Sequence, residues 1–156
     1  MSKMDVKIEK HGDMRVAFIR HTGPYEQSTE AWNRLSAAPG LASRMGPDSC
    51  FLSLCYDDPD VTEPGNTRMD VCVAVGDDYE EEAGISTQVI PGGEFAVVVY
   101  KGAYSGLHDA YRAIYGEWLP KSGREPSGSF SMEIYRTDCS RTPPDENITE
   151  IRIPLI

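Results

Sequence analysis

Phe130-Ser131-Met132-Glu133-Ile134-Tyr135 alternates with the period of two expected of a half-buried strand. Phe130, Met132 and Ile134 fall on one face, read as core, and Ser131, Glu133 and Tyr135 on the other. Glu133 is the ionised residue of that second face. Either this face meets water, or it lines a cavity in which a carboxylate needs a cation or hydrogen-bond donors, because an unpartnered buried charge costs several kcal/mol. The stretch alone leaves both open.

Just before it, Leu107, Ala110, Tyr111, Ile114, Tyr115, Trp118 and Leu119 recur at helical spacing, and Pro120 is read as the end of that helix. Phe95 to Tyr100 reads as a buried strand, entered from the Pro91-Gly92-Gly93 turn and broken at Gly102, and Ser86 to Ile90 as a shorter strand before it. Thr149 to Ile156 closes the chain as a strand after a polar, Pro-rich loop from Asp138 to Asn147.

In the first half, Val6 to Glu9 and Met14 to His21 alternate around Gly12-Asp13 and are expected to form a hairpin. A helix from Glu26, with Ala31, Trp32 and Leu35 inward, is expected to stop at Pro39-Gly40. Phe51 to Tyr56 and Arg68 to Val75 read as strands, with a long turn from Pro59 to Asn66 between them. The acidic run Asp77 to Glu82 reads as solvated surface.

The halves resemble each other. An offset of 79 residues matches Ala17 with Ala96, Gly23 with Gly102, Tyr25 with Tyr104, Trp32 with Tyr111, Leu35 with Ile114, Phe51 with Phe130 and Tyr56 with Tyr135. One extra residue in the last loop then pairs Val71 with Ile151 and Val73 with Ile153. The expected architecture is a single α+β domain over residues 1–156, made of duplicated strand-helix-strand-strand (SHS2-type) units at about 1–78 and 79–156. The units would be related by a pseudo-two-fold axis, with a ligand groove between them. This alignment sets Leu54, flanked by Leu52 and Tyr56, opposite Glu133, so a face apolar in one copy carries a carboxylate in the other.

A net charge of −10, from 25 acidic against 15 basic residues, argues against direct nucleic-acid binding and favours a cation or a basic protein surface. No apolar run is long enough to span a membrane and no amino-terminal signal pattern is visible, so a cytoplasmic protein is expected. Cys50, Cys55, Cys72 and Cys139 show no metal-ligand spacing and read as small apolar residues; neither metal nor cofactor is expected. His11, His21 and His108 fall at a turn, a strand end and a helix start, and form no nucleophile-base pattern.

Val16 to Glu26, Asp57-Asp58-Pro59, Arg68-Met69-Asp70-Val71, Ile90 to Val97, Gly102-Ala103-Tyr104, Trp118-Leu119-Pro120 and Glu133-Ile134-Tyr135 occur in order along nearly the whole chain. Together they resemble the GyrI-like, or effector-binding, domain found in AraC-type and MerR-type multidrug-responsive regulators and alone in DNA gyrase inhibitory proteins. The resemblance implies a ligand-binding Glu at Glu133 and aromatic side chains that hold lipophilic, often cationic, molecules. The candidate lining is Tyr25, Trp32, Leu54, Tyr56, Tyr104, Tyr111, Trp118 and Tyr135 around Glu133. For each aromatic, core packing is the competing reading, and Tyr25 and Tyr104 have the further alternative of bracing the corners after Gly23 and Gly102. Unlike the regulators, the chain shows no helix-turn-helix before the domain, its first residues reading as a strand.

Three functions are compatible with these residues. The first is a binder that senses or sequesters lipophilic compounds. The second, implied by some family members, is hydrolysis of cyclopropanoid genotoxins, with Glu133 orienting or activating water and Tyr135 or another pocket Tyr donating a hydrogen bond as catalytic residues. The third is contact with DNA gyrase or another protein through an acidic surface.

Overall fold

The computed structural model describes residues 5–44, 46, 49–57, 61–82, 84–137 and 141–156. Expectations placed on Met1 to Met4, Asp58-Pro59, Asp138 and Cys139 lie outside the described residues. In chain order the strands are β1 (Val6–His11), β2 (Met14–Thr22), β3 (Phe51–Cys55), β4 (Arg68–Ala74), β5 (Ser86–Ile90), β6 (Gly93–Lys101), β7 (Ser131–Tyr135) and β8 (Ile148–Pro154). The α-helices are α1 (Thr29–Ala37), α2 (Pro39–Ala42), α3 (Leu107–Ala113) and α4 (Leu119–Ser122), and a π-helical segment, Ile114–Trp118, joins the last two. The chain is a mixed α+β protein with antiparallel strand pairing, divided into two compact units: Gly12–Gly92, and Gly93–Ile156 together with Met1–His11.

In the Gly12–Gly92 unit the strand order is β3-β4-β2-β5. Alternation gives one face Ala17, Ile19, Val71 and Val73, and α1 and α2 cover it with Ala31, Leu35 and Leu41. Burial of an aliphatic side chain such as Leu35 contributes roughly 1.5–3 kcal/mol. Pro39 does not halt the helical path outright. α1 ends at Ala37, and Pro39 then opens α2, the position where its missing N–H costs nothing.

The other unit has the order β1-β6-β8-β7. Ala96, Val98, Ile151 and Ile153 share a face with Leu107, Ala110 and Ile114 of the helical segment. The expected β1–β2 hairpin does not form. Both edges of β2 are taken, by β4 and β5, so β1 pairs instead with β6, Val6 opposite Val98 and His11 opposite Gly93. Pro120 also does not end its helix: it is the second residue of α4, whose stop is Gly123 at φ 73°. The wide π turn before Pro120 is where the helical ladder adjusts to the N–H that proline lacks.

The acidic run after β4 is only partly solvated surface. Tyr79 is buried, and its hydroxyl donates to Glu82 Oε2 at 2.7 Å, while Gly40 N donates to Glu82 Oε1 at 2.8 Å. Burial, with the bond to Glu82, pushes the Tyr79 phenol up to about 12. Cys55 and Cys72 are buried, as expected of small apolar residues.

Candidate functional site

Glu133 pairs with Ile151, and Ile151 with Val98, so these three side chains share one face of the sheet, the face that α3 covers. Met132 and Ile134, each 1% exposed, lie on the opposite face of β7. The side of β7 that alternation marks as core is thus buried, and the Glu133 side is covered as well, by its own helix.

Tyr111 of α3 donates its hydroxyl to Glu133 Oε2 at 2.8 Å, and Tyr135 donates to Oε1 at 3.0 Å. Each carboxylate oxygen thereby accepts a hydroxyl hydrogen bond. Tyr104, at the corner before α3, meets the Tyr135 ring edge-on at 5.7 Å. Trp118 packs at the border of the same unit's apolar cluster. Glu133, Tyr111, Tyr135 and Tyr104 are therefore brought together as a carboxylate bordered by three phenols.

The remaining candidates lie in the Gly12–Gly92 unit and have other engagements. The Tyr25 hydroxyl shares its one hydrogen between the carbonyls of Asp57, at 2.7 Å, and Arg68, at 3.1 Å, so Tyr25 braces its corner. Trp32 packs edge-on against Phe51 at the margin of the α1 core. Leu54 is 2% exposed, pairs with Asp70 and lies on the face away from α1.

On the expected duplication, register sets Ser53 and not Leu54 opposite Glu133. Ser53 pairs with Val71 as Glu133 pairs with Ile151, so Ser53, buried beneath α1, holds the matching position. On that alignment the extra residue enters before β7 and not in the last loop. This follows from Tyr56 N donating to Arg68 O and Arg136 N to Ile148 O, both pairs already 80 residues apart. A one-residue slip exchanges the faces of a strand, which is why the sequence alignment put Leu54 there.

Sequence reasoning missed a second polar centre. Asp70, fully buried, accepts from Arg20 Nε at 2.8 Å and Nη2 at 3.1 Å, from the Tyr56 hydroxyl at 2.6 Å and from Gln88 at 2.9 Å. The Arg20 guanidinium lies over the Tyr56 ring, 4.9 Å from its centroid. Hydrogen bonding to Asp70 raises the Arg20 pKa, and burial, with the bond to Asp70, raises that of Tyr56. The signal available was alternation: Arg20, Asp70 and Gln88 share the face opposite α1.

A cleft of about 470 Å³ opens elsewhere in that unit, where Ile19, Ala37, Ala38, Ile85 and Arg34 meet Glu82. Both Glu82 oxygens are engaged there, by the Gly40 amide and the Tyr79 hydroxyl.

The GyrI-like small molecule binding domain matches residues 4–156, and the chain belongs to that family. It is 30% identical over 140 residues to a DNA gyrase inhibitor of Yersinia enterocolitica, spanning 86% of this chain and 88% of that protein. Its fold is that of the C-terminal domain of EcmrR, with a TM-score of 0.77 at 21% identity over 98% of each chain. It also matches SAV2435, solved bound to tetraphenylphosphonium, with a TM-score of 0.65 at 14% identity over 98% of this chain and 94% of that one.

Proposed function

We propose that this small-molecule binding domain takes lipophilic cations or aromatic compounds at Glu133, for sensing or sequestration. The observation that carries the reading is the Glu133 carboxylate beneath α3, held by the Tyr111 and Tyr135 hydroxyls, with Tyr104 edge-on to Tyr135. The two donors orient the carboxylate in a half-buried place, and phenol rings attract a cation through their faces. Tetraphenylphosphonium is a suitable probe, being the ligand of SAV2435. Wild type is expected to bind it in a calorimetric titration, with Trp118 fluorescence changing in parallel, and Glu133→Gln to bind at least about tenfold more weakly. Equal affinity of the two proteins removes Glu133 from the function.

A second reading, contact with DNA gyrase, is favoured by the relative of that name at 30% identity. A supercoiling assay decides it, since a stoichiometric excess of this protein must slow gyrase.

A further inference from the structure

Thr149 is fully buried, and its Oγ1 has no hydrogen-bond partner among the described residues. In the register it stands between Tyr135 of β7 and Tyr100 of β6, two residues along β8 from Ile151, the partner of Glu133. It therefore lies on the Glu133 face, diagonal to the carboxylate at a Cα spacing of about 7–8 Å. The hydroxyls beside it have partners, Tyr100 with the Ala103 carbonyl at 2.7 Å and Tyr135 with Glu133.

A buried hydroxyl without a partner destabilises a fold. The equivalent row of the Gly12–Gly92 unit shows that the architecture does not require it: Cys55, Met69 and His21 are aligned there as Tyr135, Thr149 and Tyr100 are here, and Met69 is packed in the core. In the next row Ser53, Val71 and Ile19 answer to Glu133, Ile151 and Val98. The Glu133 unit thus carries Glu133, Tyr135 and Thr149 where the other carries Ser53, Cys55 and Met69, three adjoining positions on one helix-covered face. The cluster is polar where the fold accepts small or apolar groups.

We infer that Thr149 Oγ1 is a second anchor of the binding site, selecting among lipophilic cations those that also carry a hydrogen-bond acceptor oxygen, such as an ester carbonyl. This rests on the reading of Glu133 as the cation site. The cationic centre lies against Glu133 and the carbonyl accepts from the Thr149 hydroxyl.

The test uses two probes on the full chain, benzoylcholine, which has an ester carbonyl, and tetraphenylphosphonium, which has no acceptor. Thr149→Val keeps the shape and removes the hydroxyl. It is expected to weaken benzoylcholine about tenfold, to leave tetraphenylphosphonium within about twofold, and to raise the ligand-free Tm by a few degrees. Thr149→Ser should restore benzoylcholine binding, and it carries the test if the valine variant does not fold. Unchanged benzoylcholine affinity in Thr149→Val overturns the inference, as do an equal loss for both probes, a lowered Tm, or wild type that binds tetraphenylphosphonium but not benzoylcholine. Wild type that binds neither probe sinks the Glu133 reading itself.

Discussion

The hydroxyl of Tyr111, on α3, donates to Oε2 of Glu133, on β7, at 2.8 Å. The helix is thereby tied to the strand through a carboxylate placed where the rest of the covered face is largely apolar. The side chain proposed to bind ligand is thus also a structural tie, and separating the two roles requires measuring both stability and affinity.

A double-mutant cycle over Tyr111→Phe and Glu133→Gln separates them. Tyr111→Phe should lower unfolding free energy by about 1–2 kcal/mol, as expected for a lost hydrogen bond to a charged group in a half-buried setting, and the pair should couple by about 1 kcal/mol. Urea unfolding gives both values. A coupling indistinguishable from zero would show that the 2.8 Å contact contributes nothing in solution.

Asp70 should matter more for stability than Glu133. Asp70→Asn leaves the Arg20 guanidinium and the Tyr56 hydroxyl facing an amide, and breaking a buried ion pair costs about 3–5 kcal/mol. The Arg20 side chain is 47% exposed, so water softens the loss to about 2–3 kcal/mol. Thermal unfolding measures it, and a shift of less than a degree would remove the network from the stability of its unit.

Tyr100 dictates glycine at the corner before α3. A Cβ on Gly106 would come within 2.2 Å of the Tyr100 hydroxyl oxygen, which is held by its bond to the Ala103 carbonyl. Gly106→Ala should therefore cost about 1–3 kcal/mol in wild type and much less in Tyr100→Phe, whose nearest remaining ring atom is 3.3 Å away. Equal costs in the two backgrounds would mean that the backbone, not the hydroxyl, excludes alanine.

Glu150 predicts a pH dependence. Burial raises its carboxyl pKa, but the hydrogen bonds from Arg136 and Arg152 outweigh it and hold the pKa below the ordinary value of 4.5. A depressed carboxylate stabilises the fold above its unfolded pKa and loses that contribution as pH falls through the folded one. The stability gap between wild type and Glu150→Gln should be full at pH 6–7 and should shrink below about pH 4.5. Chemical denaturation across that range checks it, and a gap that stays constant would contradict the ion pairs.

Much of the fold was legible because it depends on local spacing. Six-residue alternation marked β7, the 3-and-4 spacing from Leu107 to Leu119 marked the second helical segment, and Gly23 and Gly102 marked the corners. Of the site, Glu133 and its neighbours Tyr111, Tyr135 and Tyr104 stood among the candidates. Asp70 did not, because its burial depends on Arg20, Tyr56 and Gln88 arriving from three other segments.

The sequence by itself determined the order of strands and helices, the family and the carboxylate that stands out in β7, since periodicity, turn residues and side-chain chemistry are properties of neighbouring positions. Tertiary structure alone decided that β1 pairs with β6, that Ser53 pairs with Val71 as Glu133 pairs with Ile151, and that the buried Thr149 hydroxyl has no hydrogen-bond partner among the described residues. Those are matters of register. One residue of slip turns a strand over, and only the pairing of distant segments fixes which side the helix covers.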